Sequence, residues 1–147
     1  MEDQLKGEGP ETVGHLGRMI IVDLYECTNI KLLMSVASIT EAMLDAAREA
    51  KATIINWFFK EFEPYGVSGA VIIAESHLAI HTWPERNFAS IDIYTCGPID
   101  PYIAVRYLIK IFGAGRVYTR ELLRGEFPVD ANGKVEHKIT SDELVAA

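Results

Sequence analysis

The alternation of apolar and polar residues predicts the first two elements of the chain. In the run MIIVDLYEC, which follows residue 18, Ile20, Val22 and Leu24 occupy one side of a strand, and we expect this side to be buried. Over residues 29–50, apolar residues recur at steps of three and four, with frequent alanine and no glycine. This pattern predicts an amphipathic helix. Its apolar stripe consists of Leu32, Val36, Ile39, Met43, Ala47 and Ala50.

Short β-type segments follow this helix in quick succession, at residues 53–62, 68–74, 77–82 and 88–95. The connections between them are rich in proline and glycine and leave room for hairpins but not for crossover helices, so the sheet should be largely antiparallel. A second helix is predicted over residues 100–112, because Asp100 and Pro101 suit its start and Gly113 its end. Its apolar face is predicted from Ile103, Tyr107 and Ile111, and a last strand is predicted at residues 116–123.

The element order βαββββαβ predicts an α/β (α+β) two-layer sandwich, with a largely antiparallel sheet and two helices on one face. The opposite face of such a sheet needs a cover, and dimerisation through that face or along its edge would supply one. We expect a flexible, polar N-terminal tail at residues 1–15, one domain at residues 16–125, and a polar C-terminal tail at residues 126–147.

Composition narrows the possible partners. The chain has 147 residues and a formal net charge of −7, which argues against nucleic acid as a partner, since phosphate contacts need a basic patch. Its longest apolar stretches are too short to cross a bilayer, so no membrane is expected either. The N-terminal residues do not resemble a secretion leader, which predicts a cytoplasmic protein with Cys27 and Cys96 as free thiols.

Candidate chemistry is concentrated in residues 75–97, ESHLAIHTWPERNFASIDIYTCG. The chain shows no phosphate-binding loop, dinucleotide fingerprint or nucleophile elbow. His77 and His81 would lie about 13 Å apart along a strand, and no third ligand cluster is near, so no metal site is predicted. Taken singly, Ser76 fits an ordinary turn better than a reactive group, and Cys96 fits a small buried residue better than a reactive thiol.

The whole string resembles the central motif of prokaryotic-type S-adenosylmethionine decarboxylase proenzymes, which are pyruvoyl-dependent. ESHLAIHTWPE at residues 75–85 and IDIYTCG at residues 91–97 carry the resemblance, together with GRMIIVDLYEC, FEPYGVSG and DPYIAVRYL. It implies self-cleavage between Glu75 and Ser76, giving a β chain of residues 1–75 and an α chain of residues 76–147. The pyruvoyl group made from Ser76 would then form a Schiff base with the substrate and accept its electron pair, with neither pyridoxal phosphate nor a metal.

The resemblance also implies roles for individual residues. Ser76 attacks the carbonyl of Glu75, His81 is the base in processing, Ser68 assists the same step, and Cys96 returns a proton to the substrate Cα. Phe62 and Trp83 match aromatic residues that contact the substrate, and Glu85 matches a carboxylate on its ribose hydroxyls. Aromatic faces suit both an adenine and a sulfonium cation. A homodimer of αβ protomers, with active sites near the interface, is expected on the same basis.

The implied reaction converts S-adenosylmethionine to S-adenosylmethioninamine, the aminopropyl donor for spermidine in polyamine biosynthesis. Two alternatives stay open. The chain could be a pyruvoyl-dependent arginine or ornithine decarboxylase of the same family, although Phe62, Trp83 and Glu85 favour a nucleoside substrate. It could also be an inactive paralogue that activates an active enzyme, although Ser76 and Cys96 are both present.

Overall fold

The computed structural model describes residues 14–127 and 143–146. In this part of the chain, three α-helices accompany a seven-stranded sheet in the order β2-β3-β4-β5-β1-β6-β7, and each neighbouring pair of strands is antiparallel. The α+β class and the antiparallel sheet expected from the sequence are therefore present. The elements are β1 (Gly14–Tyr25), α1 (Ile30–Met34), α2 (Val36–Glu49), β2 (Ile54–Glu61), β3 (Val67–Ile73), β4 (Ser76–Trp83), a 3-10 turn (Pro84–Arg86), β5 (Phe88–Cys96), α3 (Pro101–Phe112), β6 (Arg116–Phe127) and β7 (Glu143–Ala146).

The single helix predicted over residues 29–50 is wrong, because the structure has two helices there. Ser35 separates them in an extended conformation, with φ −105° and ψ 115°. Its side chain accepts a hydrogen bond from the backbone N–H of Ser38, while its own N–H donates to the carbonyl of Leu32. A serine at a helix N-cap satisfies an otherwise unpaired N–H, and this local gain outweighs the unbroken apolar stripe.

The second predicted helix is present, with Asp100 accepting from the N–H of Tyr102 and Gly113 ending it at φ 61°. Its predicted apolar face is shifted, however, because Ile103, Tyr107 and Ile111 are only partly buried. Tyr107 instead bonds to Asp45 of α2 through its hydroxyl at 3.4 Å, so this stripe borders the neighbouring helix. The residues of α3 that are buried in the core are Pro101, Ala104, Val105, Leu108 and Phe112.

Both ends of the chain carry more strand than expected. β1 starts at Gly14, inside the predicted N-terminal tail, and β6 extends to Phe127. β7 lies in the segment for which the sequence predicted only a polar tail, and it pairs with the first part of β6. Residues 1–13, 128–142 and 147 of the two predicted tails lie outside the described residues. Where the structure is described, no helix is long and apolar enough to span a membrane.

The strands alternate between two environments. One side of the sheet packs against the helices and forms the core; we call it the helix-covered face, and α2 contacts β2 and β3 while α3 contacts β1 and β5. The alternate positions form the open face, whose side chains are half-buried or exposed. Core residues include Ile20, Val22, Leu24, Val71, Ile73, Leu78, Ile80, Ala89, Ile91 and Ile93, whereas the open face carries Ser68, Ile72, His77, His81, Trp83, Asp92, Tyr94 and Cys96.

Candidate active site

The Glu75–Ser76 bond lies in a tight turn between two strands. Ala74 and Glu75 form the turn, and β4 begins directly at Ser76. Ser76 has a φ of 138°, a value that favours glycine. Holding another residue in such a region costs on the order of 1–3 kcal/mol, so the surrounding contacts must impose this conformation. The peptide group implied in self-cleavage is therefore adjacent to the most unusual backbone of the hairpin.

Two segments hold Glu75 from opposite sides. The backbone N–H of Cys96 donates a hydrogen bond of 2.7 Å to the carbonyl oxygen of Glu75. On the other side, Thr53 donates to the carboxylate twice, from its N–H at 3.1 Å and from its hydroxyl at 3.2 Å. The register that pairs Ser76 with Thr95 brings the end of β5 beside the turn. Glu75 is thus fixed at its carbonyl and at its carboxylate.

Ser68 and His81 form a second group, on the open face. They are cross-strand neighbours in β3 and β4, and the Ser68 hydroxyl lies 2.7 Å from Nδ1 of His81. The His81 ring centroid is 6.3 Å from that of Trp83, which in turn lies 5.5 Å from the ring of Phe88. The hydrogen bond and the neighbouring rings orient the imidazole, as a group that transfers protons requires.

These two groups lie at opposite ends of β4. Ser76 and His81 are five positions apart in a regular strand, which corresponds to about 16 Å. Cys96 belongs with the first group through its contact with Glu75, and Ser68 with the second through its contact with His81. A single chain therefore brings the predicted cleavage bond and proton donor together but leaves the predicted base at a distance.

The predicted substrate-binding residues gather at the His81 end. Trp83 is the last residue of β4 and is 39% exposed. Phe62, 49% exposed, starts the loop that leads to β3, and its N–H donates to the carbonyl of Gly66. Glu85 is exposed in the 3-10 turn after Trp83. Ser68, His81, Phe62, Trp83 and Glu85 thus share one end of the sheet.

The two cysteines differ sharply in environment. Cys27 is 2% exposed, and its thiol donates a weak hydrogen bond of 3.6 Å to the carbonyl of Leu24. Burial raises the pKa of Cys27 to about 11, because the thiolate would lose its hydration. Cys96 is exposed at the end of β5. Of the two thiols, only Cys96 is placed to exchange a proton with a ligand.

Sequence reasoning missed two threonines that shape the site. Thr53 holds the carboxylate of Glu75, and no motif marked it, since a threonine at the start of a strand is ordinary. Thr82 is buried next to His81; its hydroxyl donates to the carbonyl of Leu33 and accepts from the N–H of Val67. The period of two from Leu78 and Ile80 places Thr82 on the core side of the strand, which is a usable signal, because a buried hydroxyl needs a partner.

No set of three or more histidine, cysteine, aspartate or glutamate side chains is placed to hold a metal ion within residues 14–127 and 143–146. The pyruvoyl group implied by the resemblance needs no binding pocket of its own, since it would arise from the chain. It requires a hydroxyl-bearing residue after a reachable carbonyl, and Glu75 followed by Ser76 in the turn meets this requirement.

Comparisons with known proteins converge on one description. The family model described as S-adenosylmethionine decarboxylase matches residues 18–125. A protein of Acidithiobacillus ferrooxidans named S-adenosylmethionine decarboxylase proenzyme is 51% identical over 125 residues, which cover 84% of this chain and 92% of that protein. A proenzyme of the same name from Thermosipho melanesiensis is 50% identical over 113 residues, covering 76% of this chain and 86% of the relative. The crystal structure of the adenosylmethionine decarboxylase from Aquifex aeolicus VF5 superposes with a TM-score of 0.72 at 35% identity, covering 80% of this chain and 98% of that one.

Proposed function

The chain belongs to the S-adenosylmethionine decarboxylase family, and we propose that it is a self-cleaving proenzyme whose mature form releases CO2 from S-adenosylmethionine. The product is S-adenosylmethioninamine, which donates an aminopropyl group in spermidine synthesis. The observation that carries the proposal is the turn at Glu75 and Ser76, where a strained backbone adjoins a carbonyl that already accepts a hydrogen bond from Cys96.

Self-cleavage starts with an acyl shift at this turn. The hydroxyl of Ser76 attacks the carbonyl carbon of Glu75, the C–N bond breaks, and the amide becomes an ester with a free amine on residue 76. Negative charge develops on the Glu75 oxygen during the attack, and the N–H of Cys96, 2.7 Å away, is aligned to stabilise it. Rotation about the N–Cα bond also relieves the strained φ of Ser76.

The ester is then broken by β-elimination. A base removes the Cα proton of residue 76, the ester C–O bond breaks, and Glu75 leaves as a carboxylate at the end of the β chain. Water replaces the nitrogen of the resulting dehydroalanine, which releases ammonia and leaves a pyruvoyl group at the head of the α chain. This group supplies the electron sink for decarboxylation.

We assign the base to His81 and place it in a homodimer. His81 lies about 16 Å along β4 from Ser76 of its own chain, too far for direct proton transfer. Pairing of two open faces would bring His81 of the partner subunit toward this turn. The face offers exposed apolar surface for such pairing, with Phe58 73%, Ile72 45% and Trp83 39% exposed.

Cys96 is assigned as the proton donor to the substrate Cα after CO2 leaves. It lies beside the turn through its hydrogen bond to Glu75 and is exposed to a ligand. Because they lie at the His81 end of the sheet, Phe62, Trp83 and Glu85 of the partner subunit are assigned to the adenosyl part, with the aromatic rings on adenine and sulfonium and the carboxylate on the ribose. The cytoplasm is the proposed compartment, since both cysteines are free thiols.

The subunit arrangement can be tested by mixing two inactive chains with different tags. Ser76→Ala keeps His81 but lacks the attacking hydroxyl, and His81→Ala keeps Ser76 but lacks the base. When the two are co-expressed, we expect the His81→Ala chain to be cleaved, whereas alone it stays intact on a denaturing gel. A His81→Ala chain that stays intact in the mixture as well would contradict a base supplied by the partner.

The substrate is tested separately with the wild-type protein. We expect a mass change at residue 76 and CO2 release from carboxyl-labelled S-adenosylmethionine. Release only from labelled arginine or ornithine would overturn the proposed substrate. A single uncleaved chain with no activity on any of the three would identify an inactive paralogue instead.

A further inference from the structure

The segment between α2 and β2 lies against the cleavage turn through one residue, Thr53. Its N–H and its hydroxyl donate to separate carboxylate oxygens of Glu75, at 3.1 and 3.2 Å. Its carbonyl accepts a hydrogen bond of 2.8 Å from the N–H of Ala74, the other turn residue. Both turn residues are therefore hydrogen-bonded to Thr53, which has no part in the reaction described above.

The chain geometry before β2 delivers Thr53 to this position. Lys51 adopts a left-handed φ of 60°, which ends α2, and the N–H of Ala52 closes back on the carbonyl of Ala47 at 2.9 Å. The chain then enters β2 beside the last residues of β3, since Ile54 pairs with Ile73. Thr53 is thus anchored to the helix layer on one side and reaches the turn on the other.

We propose that Thr53 is a positioning residue for self-cleavage, acting through the carboxylate of Glu75. Two donors on two oxygens hold the side chain of Glu75 in one orientation. Its backbone is then held between Thr53 on one side and the N–H of Cys96 on the other. This arrangement keeps the carbonyl in reach of the Ser76 hydroxyl while its oxygen faces the Cys96 N–H.

The contacts with Thr53 give Glu75 the role of an anchor. Each of its carboxylate oxygens accepts a hydrogen bond from Thr53. A reaction that depends on orientation loses rate when an anchor is loosened, even where the global fold persists. Thr53 is exposed, so the loss of its hydroxyl should alter the cleavage rate far more than stability.

The test compares Thr53→Val with Thr53→Ser in the full-length chain. Valine keeps the shape and the backbone N–H but removes the hydroxyl, whereas serine keeps the hydroxyl. We expect the first-order rate of cleavage, followed by intact mass, to fall about fivefold to tenfold in Thr53→Val and to stay within about twofold of wild type in Thr53→Ser. Thermal unfolding of uncleaved protein should change little in either variant.

A double-variant cycle shows whether Thr53 acts through Glu75. Adding Thr53→Val to Glu75→Ala should slow cleavage no further than Glu75→Ala alone, because the anchor is already absent. Full additivity, wild-type cleavage in Thr53→Val, or equal slowing in Thr53→Ser would each overturn the proposal.

The inference rests on the proposed self-cleavage. Cleavage of the wild-type chain shows whether a negative result contradicts the proposed function or only the role of Thr53. If the wild-type chain is never cleaved at residue 75, the proposed function fails. If it is cleaved normally and Thr53→Val is cleaved equally fast, only the role of Thr53 fails.

Discussion

The two faces of the sheet are built from the same strands but carry different chemistry. In β4, Leu78 and Ile80 are buried under the helices, while His77, Ala79 and His81 alternate with them on the open face. In β5, Ile91 and Ile93 alternate with Asp92 and Tyr94 in the same way. A period of two lets each strand serve the core and the site at once. Stability and activity should therefore be separable by mutation.

The faces also treat charge differently. Beneath α3, Arg18 donates to Glu121 and Tyr102 bonds to the same carboxylate, so hydrogen bonding from Arg18 lowers the pKa of Glu121. On the open face, partial burial and the nearby Asp92 raise the pKa of Asp23. The first carboxylate is stabilised in its charged form and the second is not.

The largest expected effect is the loss of all cleavage in Ser76→Ala. Alanine has no nucleophile, so intact mass should show one full-length chain and no pyruvoyl group, and decarboxylation should be undetectable. Ser38→Ala, in an exposed position of α2, is the matched control and should be cleaved like wild type. Cleavage of Ser76→Ala at residue 75 would rule out the mechanism.

Cys96→Ala should separate cleavage from turnover. The backbone N–H that contacts Glu75 is retained, so we expect cleavage to proceed, whereas turnover should fall about a hundredfold without the proton donor. Iodoacetamide should alkylate Cys96 in the folded protein and reach Cys27 only on unfolding, as mass mapping would show. Normal turnover in Cys96→Ala would exclude its assigned role.

Ile91→Ala should do the opposite, reducing stability without removing any group from the site. Ile91 is 1% exposed, and deleting its side chain should lower the free energy of unfolding by about 2–5 kcal/mol in urea titrations. Ile55→Ala, at a residue 63% exposed, should lower it by less than about 1 kcal/mol. Equal losses in the two variants would contradict the single core.

Glu121→Gln should weaken the protein at neutral pH but not in acid. Because the folded pKa of Glu121 lies below its usual value near 4.5, its contribution is complete above that pH and is lost as the pH falls through the folded pKa. Thermal unfolding should show wild type more stable than Glu121→Gln at pH 7, with the gap closing below about pH 4.5. A difference in unfolding temperature that does not change with pH would mean that Glu121 stabilises the protein by packing and not by its charge.

Asp23→Asn should give a smaller effect of the opposite sign. A raised folded pKa means that ionisation is harder in the folded state, so the wild type loses stability as the pH rises above the usual aspartate value. The variant should unfold at a slightly higher temperature than wild type at pH 7 and at the same temperature once Asp23 is protonated in acid. A lower unfolding temperature at pH 7 would mean that the charged form is stabilised.

Much of the fold followed from local patterns. The strands were predictable because alternation is a direct product of strand geometry, and Asp100 and Gly113 marked the ends of α3. The break at Ser35 does not follow from the apolar periodicity, which continues across it, because it depends on the N-cap hydrogen bond of that serine. β7 was missed because its four residues carry no strand pattern of their own and form only by pairing with β6.

The site was less predictable than the fold. Motif spacing singled out Ser76, His81 and Cys96, and the five-position offset between Ser76 and His81 already implied their separation along a strand. The sequence contained no sign that Cys96 would meet the carbonyl of Glu75, or that Thr53 would hold its carboxylate. Both contacts join segments about twenty residues apart in the chain.

The sequence by itself determined which strand residues face the core, where β1 to β6 run, and which groups are candidates for reactive chemistry, because each of these depends on neighbours within a few residues. Only the tertiary structure decided the register that sets Cys96 against Glu75 and Ser68 against His81. Register depends on the pairing of all the strands together with the packing of the helices, so it cannot be predicted from any one segment of the sequence. The Glu75–Ser76 bond thus has its chemistry from the sequence and its orientation from distant parts of the chain.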